Sequence, residues 1–171
     1  MPPYTWYPNS CSAILSLRFL FTLFAYMTPE STDYLLLEYA DAFPALIARW
    51  KRTAHPPELH DGYAAMLEAA AARTSRYWLI DIRFQPLVTT ENTLWMMNNF
   101  FPRMHARLGG SLYLAYLMGP HQLANVMSNS EIPLLSYFDS LPYRIERFTD
   151  EQAAMDWLLY CHQGDIVAGR L

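Results

Sequence analysis

Charge is scarce in this 171-residue chain: only 16% of its residues are Asp, Glu, Lys or Arg. The twelve basic residues are scattered, and the formal net charge is −4 with a pI near 5.7. Nucleic-acid binding draws most of its affinity from clustered Lys and Arg, so that class of function is excluded. Cysteine is scarcer still. Cys11 and Cys161 lie at opposite ends with no CxxC spacing, which points to a reduced, cytoplasmic protein rather than a disulfide scaffold. No uncharged apolar run reaches the roughly 18 to 20 residues that span a bilayer, so no stable membrane insertion is expected. Repeats and low-complexity segments are absent. There is no metal-spaced cluster, nucleophile motif or phosphate loop, and His55, His60, His105, His121 and His162 are spread along the chain. The sequence therefore names no reaction, and neither a metal nor a cofactor is expected.

What is present is apolar: 53% of residues are hydrophobic, enough for one domain with a real core. The N-terminal block is unusual. Ala13 to Met27, AILSLRFLFTLFAYM, carries Arg18, and no Lys or Arg precedes it, which argues against a secretory signal. Residues 1–32 read as an apolar extension outside the natural protein, or as an extra element that packs on a partner; TPESTD after Met27 is a polar lead into the first regular element. The domain is expected over 33–160, with 161–171 as a tail.

The organising element is Tyr77 to Arg83, YWLIDIR, an apolar run of strand length ending in charge, as in a strand covered on both faces. Before it, YLLLEY (Tyr34 to Tyr39) and Phe43 to Trp50 predict a β-hairpin, and the proline-led stretch Glu58 to Arg73 predicts a helix whose buried face holds Leu59, Tyr63, Met66, Leu67 and Ala70. After it, Thr90 to Leu108 predicts a long helix with Leu94, Met97, Phe101, Met104 and Leu108 as core and a kink or a break near Asn98 to Phe101 caused by Pro102. Ser111 to Met118 is a second buried strand. His121 to Asn129 is a short helix burying Leu123, Val126 and Met127, followed by a loop with an apolar patch at Leu134, Leu135, Tyr137 and Phe138. YRIERF (Tyr143 to Phe148) is the last strand, and Thr149 with Gln152 form a capping box for a final helix to about Tyr160. The fold class is α/β: a single mixed, mainly parallel five-stranded sheet with an N-terminal hairpin and four helices, in the order ββαβαβαβα.

WLIDIR, the Trp-containing helix ending FFPRM, the apolar strand after Gly109-Gly110 and RFTDEQAAMDWL together resemble the STAS-like family of small bacterial proteins. The resemblance covers about Asp33 to Tyr160. It implies a fold related to anti-sigma-factor antagonists and compared with CRAL-TRIO lipid carriers, and a regulatory, non-enzymatic module acting through protein–protein interaction. In those antagonists a serine at the start of the helix after the central strand is phosphorylated by a partner kinase. The matching stretch here, LVTTE, offers Thr89 and Thr90, with neither serine nor glycine; read from the residues alone, either threonine is an N-cap.

Asp81 and Arg83 sit two apart, on one face at the end of the central strand, where open α/β sheets place ligands. Arg83 is an anchor for an anionic group, the pairing partner of Asp81, or a cap on a neighbouring helix end. With Thr89 and Thr90 these four form the expected binding site. Trp95, Met96 and Phe100 exceed what one buried stripe needs and make a second core face or a docking face for a protein partner or a second copy. The alternative function is carriage of a small apolar molecule or lipid, supported by the surplus of large apolar groups at Phe100, Phe101, Leu134, Leu135, Tyr137 and Phe138; an enzyme of unassigned chemistry stands as a second alternative.

Overall fold

The computed structural model describes residues 31–170; the expectations for the N-terminal extension lie outside them. The strands are β1 (Leu35–Tyr39), β2 (Ala45–Trp50), β3 (Tyr77–Asp81), β4 (Leu112–Leu117) and β5 (Tyr143–Phe148), in the spatial order β1-β2-β3-β4-β5. β1 and β2 pair antiparallel as the hairpin, and every later pairing is parallel. The expected α/β class and mixed sheet are therefore what the chain adopts, with β3 in the middle and all five of its residues buried.

Helices α1 (Pro56–Ala72), α2 (Thr90–Trp95), α3 (Phe101–Leu108), α4 (Pro120–Ser128) and α5 (Glu151–Val167) connect and close the sheet. Because strands follow one another in space as in sequence, right-handed crossovers place the connecting helices on a single face. That face holds the larger core, where Leu46, Trp50, Trp78, Ile80 and Leu114 meet Tyr63, Met66, Phe100 and Met104. Among the described residues, α5 alone covers the other face, setting Ala154 and Leu158 on Tyr77, Leu79 and Ala115. Alternation along each strand sorts residues between the two cores. Gly62 of α1 marks a close approach: a Cβ there would lie 2.3 Å from the Trp50 ring.

Three expectations need correction. The stretch from Thr90 to Leu108 is helical throughout, with the expected irregularity before Pro102 dividing it into α2 and α3, but its buried stripe is not the expected one. Pro102 has no N–H to give the Asn98 carbonyl, and the chain passes through a π turn at Met96–Phe100, where the Phe101 N–H donates to the Met96 carbonyl. A π turn inserts one residue, which rotates everything upstream by about 100°. The buried stripe thus becomes Met96, Phe100, Phe101 and Met104, and Leu94 is 51% exposed. Next, α5 runs on to Val167, so Cys161 to Val167 are helix rather than tail, and its N-cap is Asp150, whose Oδ1 accepts from the Ala153 N–H at 2.8 Å, not Thr149. Third, Met127 points away from the core and is exposed, while Gln122 of the same helix is buried. The loop after α4 contains a 3-10 turn, Leu135–Ser140, that buries Phe138 and leaves Leu134 and Tyr137 exposed.

Candidate functional site

At the carboxyl ends of β2 and β3, on the α5 face, four charged side chains form one cluster. Arg49 and Asp81 are register partners, and Glu151 in the first turn of α5 lies over them. Arg83 returns onto Asp81: its backbone N–H donates to Oδ1 at 3.1 Å, Nε to Oδ1 at 2.9 Å and Nη2 to Oδ2 at 2.7 Å. Arg49 donates to both Glu151 oxygens, at 2.9 and 2.5 Å, and to Asp81 Oδ2 at 3.4 Å. Burial alone would raise the Asp81 pKa, but the Arg83 hydrogen bonds and the charges of Arg83 and Arg49 outweigh it and hold the carboxyl below its ordinary value. The Arg49 hydrogen bond likewise depresses Glu151. With Glu38 also 3.9 Å from Arg49, both guanidinium groups have carboxylate partners, and the sequence-predicted residues Asp81 and Arg83 pair with each other.

Thr89 is the N-cap of α2, its hydroxyl accepting from the Asn92 N–H at 3.2 Å, which follows the local capping reading. Thr90 instead donates its hydroxyl to Glu131. Phe100 is 1% exposed and packs on Tyr63 and Trp78, so it belongs to the core and not to a docking face. Trp95 is half-buried and stacks on His60 with ring centroids 4.1 Å apart.

On the opposite face, under the helices, lies a cavity of about 700 Å³. Its walls are apolar side chains from every layer: Tyr63 of α1, Trp95 of α2, Met96 of the π turn, Met118 after β4, Val126 of α4 and Ile145 of β5. Side-chain amides pin its rim. Gln85 accepts from the Ala54 N–H at 3.2 Å and donates to the Arg52 carbonyl at 2.7 Å, tying the loop after β3 to the exit of β2. Gln122 donates to the carbonyls of Ile82 and Gln85 at 2.9 and 2.7 Å and accepts from the Gly119 N–H, fixing α4 to the same loop. The cavity therefore sits at the carboxyl ends of the parallel strands, the usual ligand side of an open α/β sheet.

Among the polar groups that line this space are two tyrosine hydroxyls and one guanidinium. The Tyr63 and Tyr116 hydroxyls interact; burial pushes the Tyr63 pKa up to about 12 and raises that of Tyr116 well above its ordinary value. Arg147, the register partner of Tyr116, stands beside it on β5. Sequence reasoning missed both. The available signal was in YRIERF, where alternation puts Arg147 on the same face as Tyr143 and Ile145, a cation on an apolar face.

The fold and the two sites define an α/β domain with one mixed sheet, a closed ion cluster on one face and an apolar cavity on the other. No family model matches the chain, and no curated protein matches it. Among solved structures it is similar to an uncharacterized protein from the DUF3478 family with a SpoIIAA-like fold, from Shewanella loihica PV-4, at 19% identity, covering 72% of this chain and 91% of that one, with a TM-score of 0.44.

Proposed function

We propose that the chain binds and carries a small apolar or amphipathic molecule in the cavity between the sheet and helices α1 to α4. The observation that carries this reading is the cavity itself: about 700 Å³ lies in the range of small-molecule sites, and its wall is built from large apolar side chains with few polar groups. A domain without a ligand to hold gains more from filling such space, because each unfilled methylene-sized void loses contact energy. Titration with the neutral, environment-sensitive dye Nile red tests it. Saturable binding by the full chain, lost in Val126→Trp while the melting temperature is kept, supports the reading. Equal binding by both proteins would place the dye elsewhere and sink it.

A second reading is docking of a protein partner, or of a second copy, at the end of β3, in keeping with a regulatory module. Its support is that Phe84 is 63% exposed directly beside Arg83. There the partner would exchange an acidic group for part of the Arg83 pairing.

A further inference from the structure

Arg147 is out of place for a side chain with no ligand to meet. Its guanidinium lines the apolar cavity and is half-buried among Tyr116, Pro133 and Ile145. A guanidinium has five N–H donors. Here the structure gives it one hydrogen bond, from Nη2 to the Pro133 carbonyl at 3.3 Å, and among the described residues it forms no ion pair. Six other arginines, Arg49, Arg52, Arg76, Arg83, Arg107 and Arg170, pair with carboxylates, and Arg144, which bonds only to the Phe138 and Asp139 carbonyls, is exposed to water where Arg147 is half-buried. Glu146, its sequence neighbour, belongs to the opposite face of the sheet by strand alternation. Burial pulls the Arg147 pKa down and outweighs the opposing charge of Glu146, as for a cation removed from water without a directly paired anion.

The second donor is next to it. The Tyr63 and Tyr116 hydroxyls interact. Both side chains line the same cavity as Arg147. Of the other lining groups, Glu91 is the one carboxylate, and it is exposed in the first turn of α2. The cavity thus has an apolar body and, on the sheet floor at β4 and β5, a cationic donor set.

Resting on the carrier reading, we infer that the cavity selects an amphiphile with an anionic head, a carboxylate or a phosphate monoester, whose oxygens take the unspent Arg147 N–H donors and a bond from the neighbouring Tyr116 hydroxyl while its alkyl body lies against Trp95, Met96 and Met118. Planar guanidinium suits both heads, since it can give two parallel N–H bonds to a pair of oxygens. A neutral head leaves those donors unpaired, and this difference supplies the selectivity.

The test uses the full chain, freed of co-purified ligand, and three probes of one chain length: dodecanoate, dodecyl phosphate and dodecanol. Wild type is expected to bind at least one of the two anions about tenfold more tightly than the alcohol, the scale of a charge-assisted pair. Arg147→Leu should lose that preference while still binding dodecanol; Arg147→Lys should keep part of it, which guards against a variant that merely misfolds. Tyr116→Phe should weaken anion binding less than Arg147→Leu. Whichever anion binds more tightly identifies the head. Equal affinity for the alcohol and both anions in wild type overturns the head-group assignment and leaves the carrier reading standing. Failure of wild type to bind any of the three overturns the carrier reading itself.

Discussion

Asp165 is fully buried, yet it lies in a stretch that hydropathy marks as the end of the domain. Its carboxylate accepts from the Tyr77 and Tyr113 hydroxyls at 2.8 Å each and from Arg170 Nε at 2.9 Å, with Arg76 3.8 Å away. The two tyrosine rings are stacked 5.1 Å apart on neighbouring strands, so one carboxylate ties the last turns of α5 to β3 and β4. Asp165→Ala would leave two buried hydroxyls without acceptors. At about 1 to 3 kcal/mol for each stranded group, a loss of about 3 kcal/mol is expected. In a domain of this size that is a fall of roughly 6 to 12 °C in melting temperature. The pH dependence has a definite sign. Burial would raise the Asp165 pKa, but the two tyrosine bonds and Arg170 outweigh it and depress it below the ordinary value. The stabilisation is therefore fully present above the unfolded value of about 3.9 and is lost as pH falls through the depressed native value. Urea unfolding of wild type and Asp165→Ala at neutral pH and at successively lower pH reads both effects. A difference below about 0.5 kcal/mol at neutral pH, or one that grows as pH falls, would refute the reasoning.

Gly62→Ala should destabilise despite alanine's higher helix propensity, by about 1 to 3 kcal/mol, because the new methyl meets the Trp50 ring at 2.3 Å; thermal melting checks it, and a gain in stability would show that the ring moves freely. Thr89→Ala should cost about 1 kcal/mol through loss of the α2 cap, while Thr90→Ala should cost less than half of that, its partner Glu131 being exposed. Arg83→Ala should leave circular dichroism unchanged, since Arg49 still faces Asp81. If the end of β3 docks a partner, Arg83→Ala and Thr90→Ala should each recover less of it from native extract than wild type does, and identical recovery would remove that surface from consideration.

The sheet was legible because its strands are short apolar runs bounded by turn residues: YWLIDIR and SLYLAYLM can be little else than strands covered on both sides. Periodicity failed where one residue changed the phase. A π turn cannot be read from hydropathy, so Leu94 was placed inside and Met96 left as surplus, although Pro102 did mark where the helix had to yield. Asp165 failed for a different reason. A buried carboxylate held by two distant tyrosines leaves no local pattern, since its partners are 88 and 52 residues away. At the site, the pairing of Asp81 with Arg83 followed from their spacing, but Arg49 and Glu151 reach them only through sheet register and the return of α5. The cavity was visible only as an excess of large apolar groups, Phe101 and Phe138 among them, beyond what the core stripes required. Its volume arises where the sheet packs against α1, α2 and α4, which no local window contains together.

The carrier claim is tested most directly by where a ligand lands. With methionine methyls labelled and resolved by NMR, Met96, Met97 and Met118 report on the cavity wall, whereas exposed Met127 and Met155 against the other core report on the rest of the domain. Titration with dodecanol is expected to shift the first three signals in a saturable way and leave the last two in place. Saturable shifts at Met127 or Met155 with Met96, Met97 and Met118 unmoved, or no shifts at all, would contradict the claim that this cavity is the working part of the molecule.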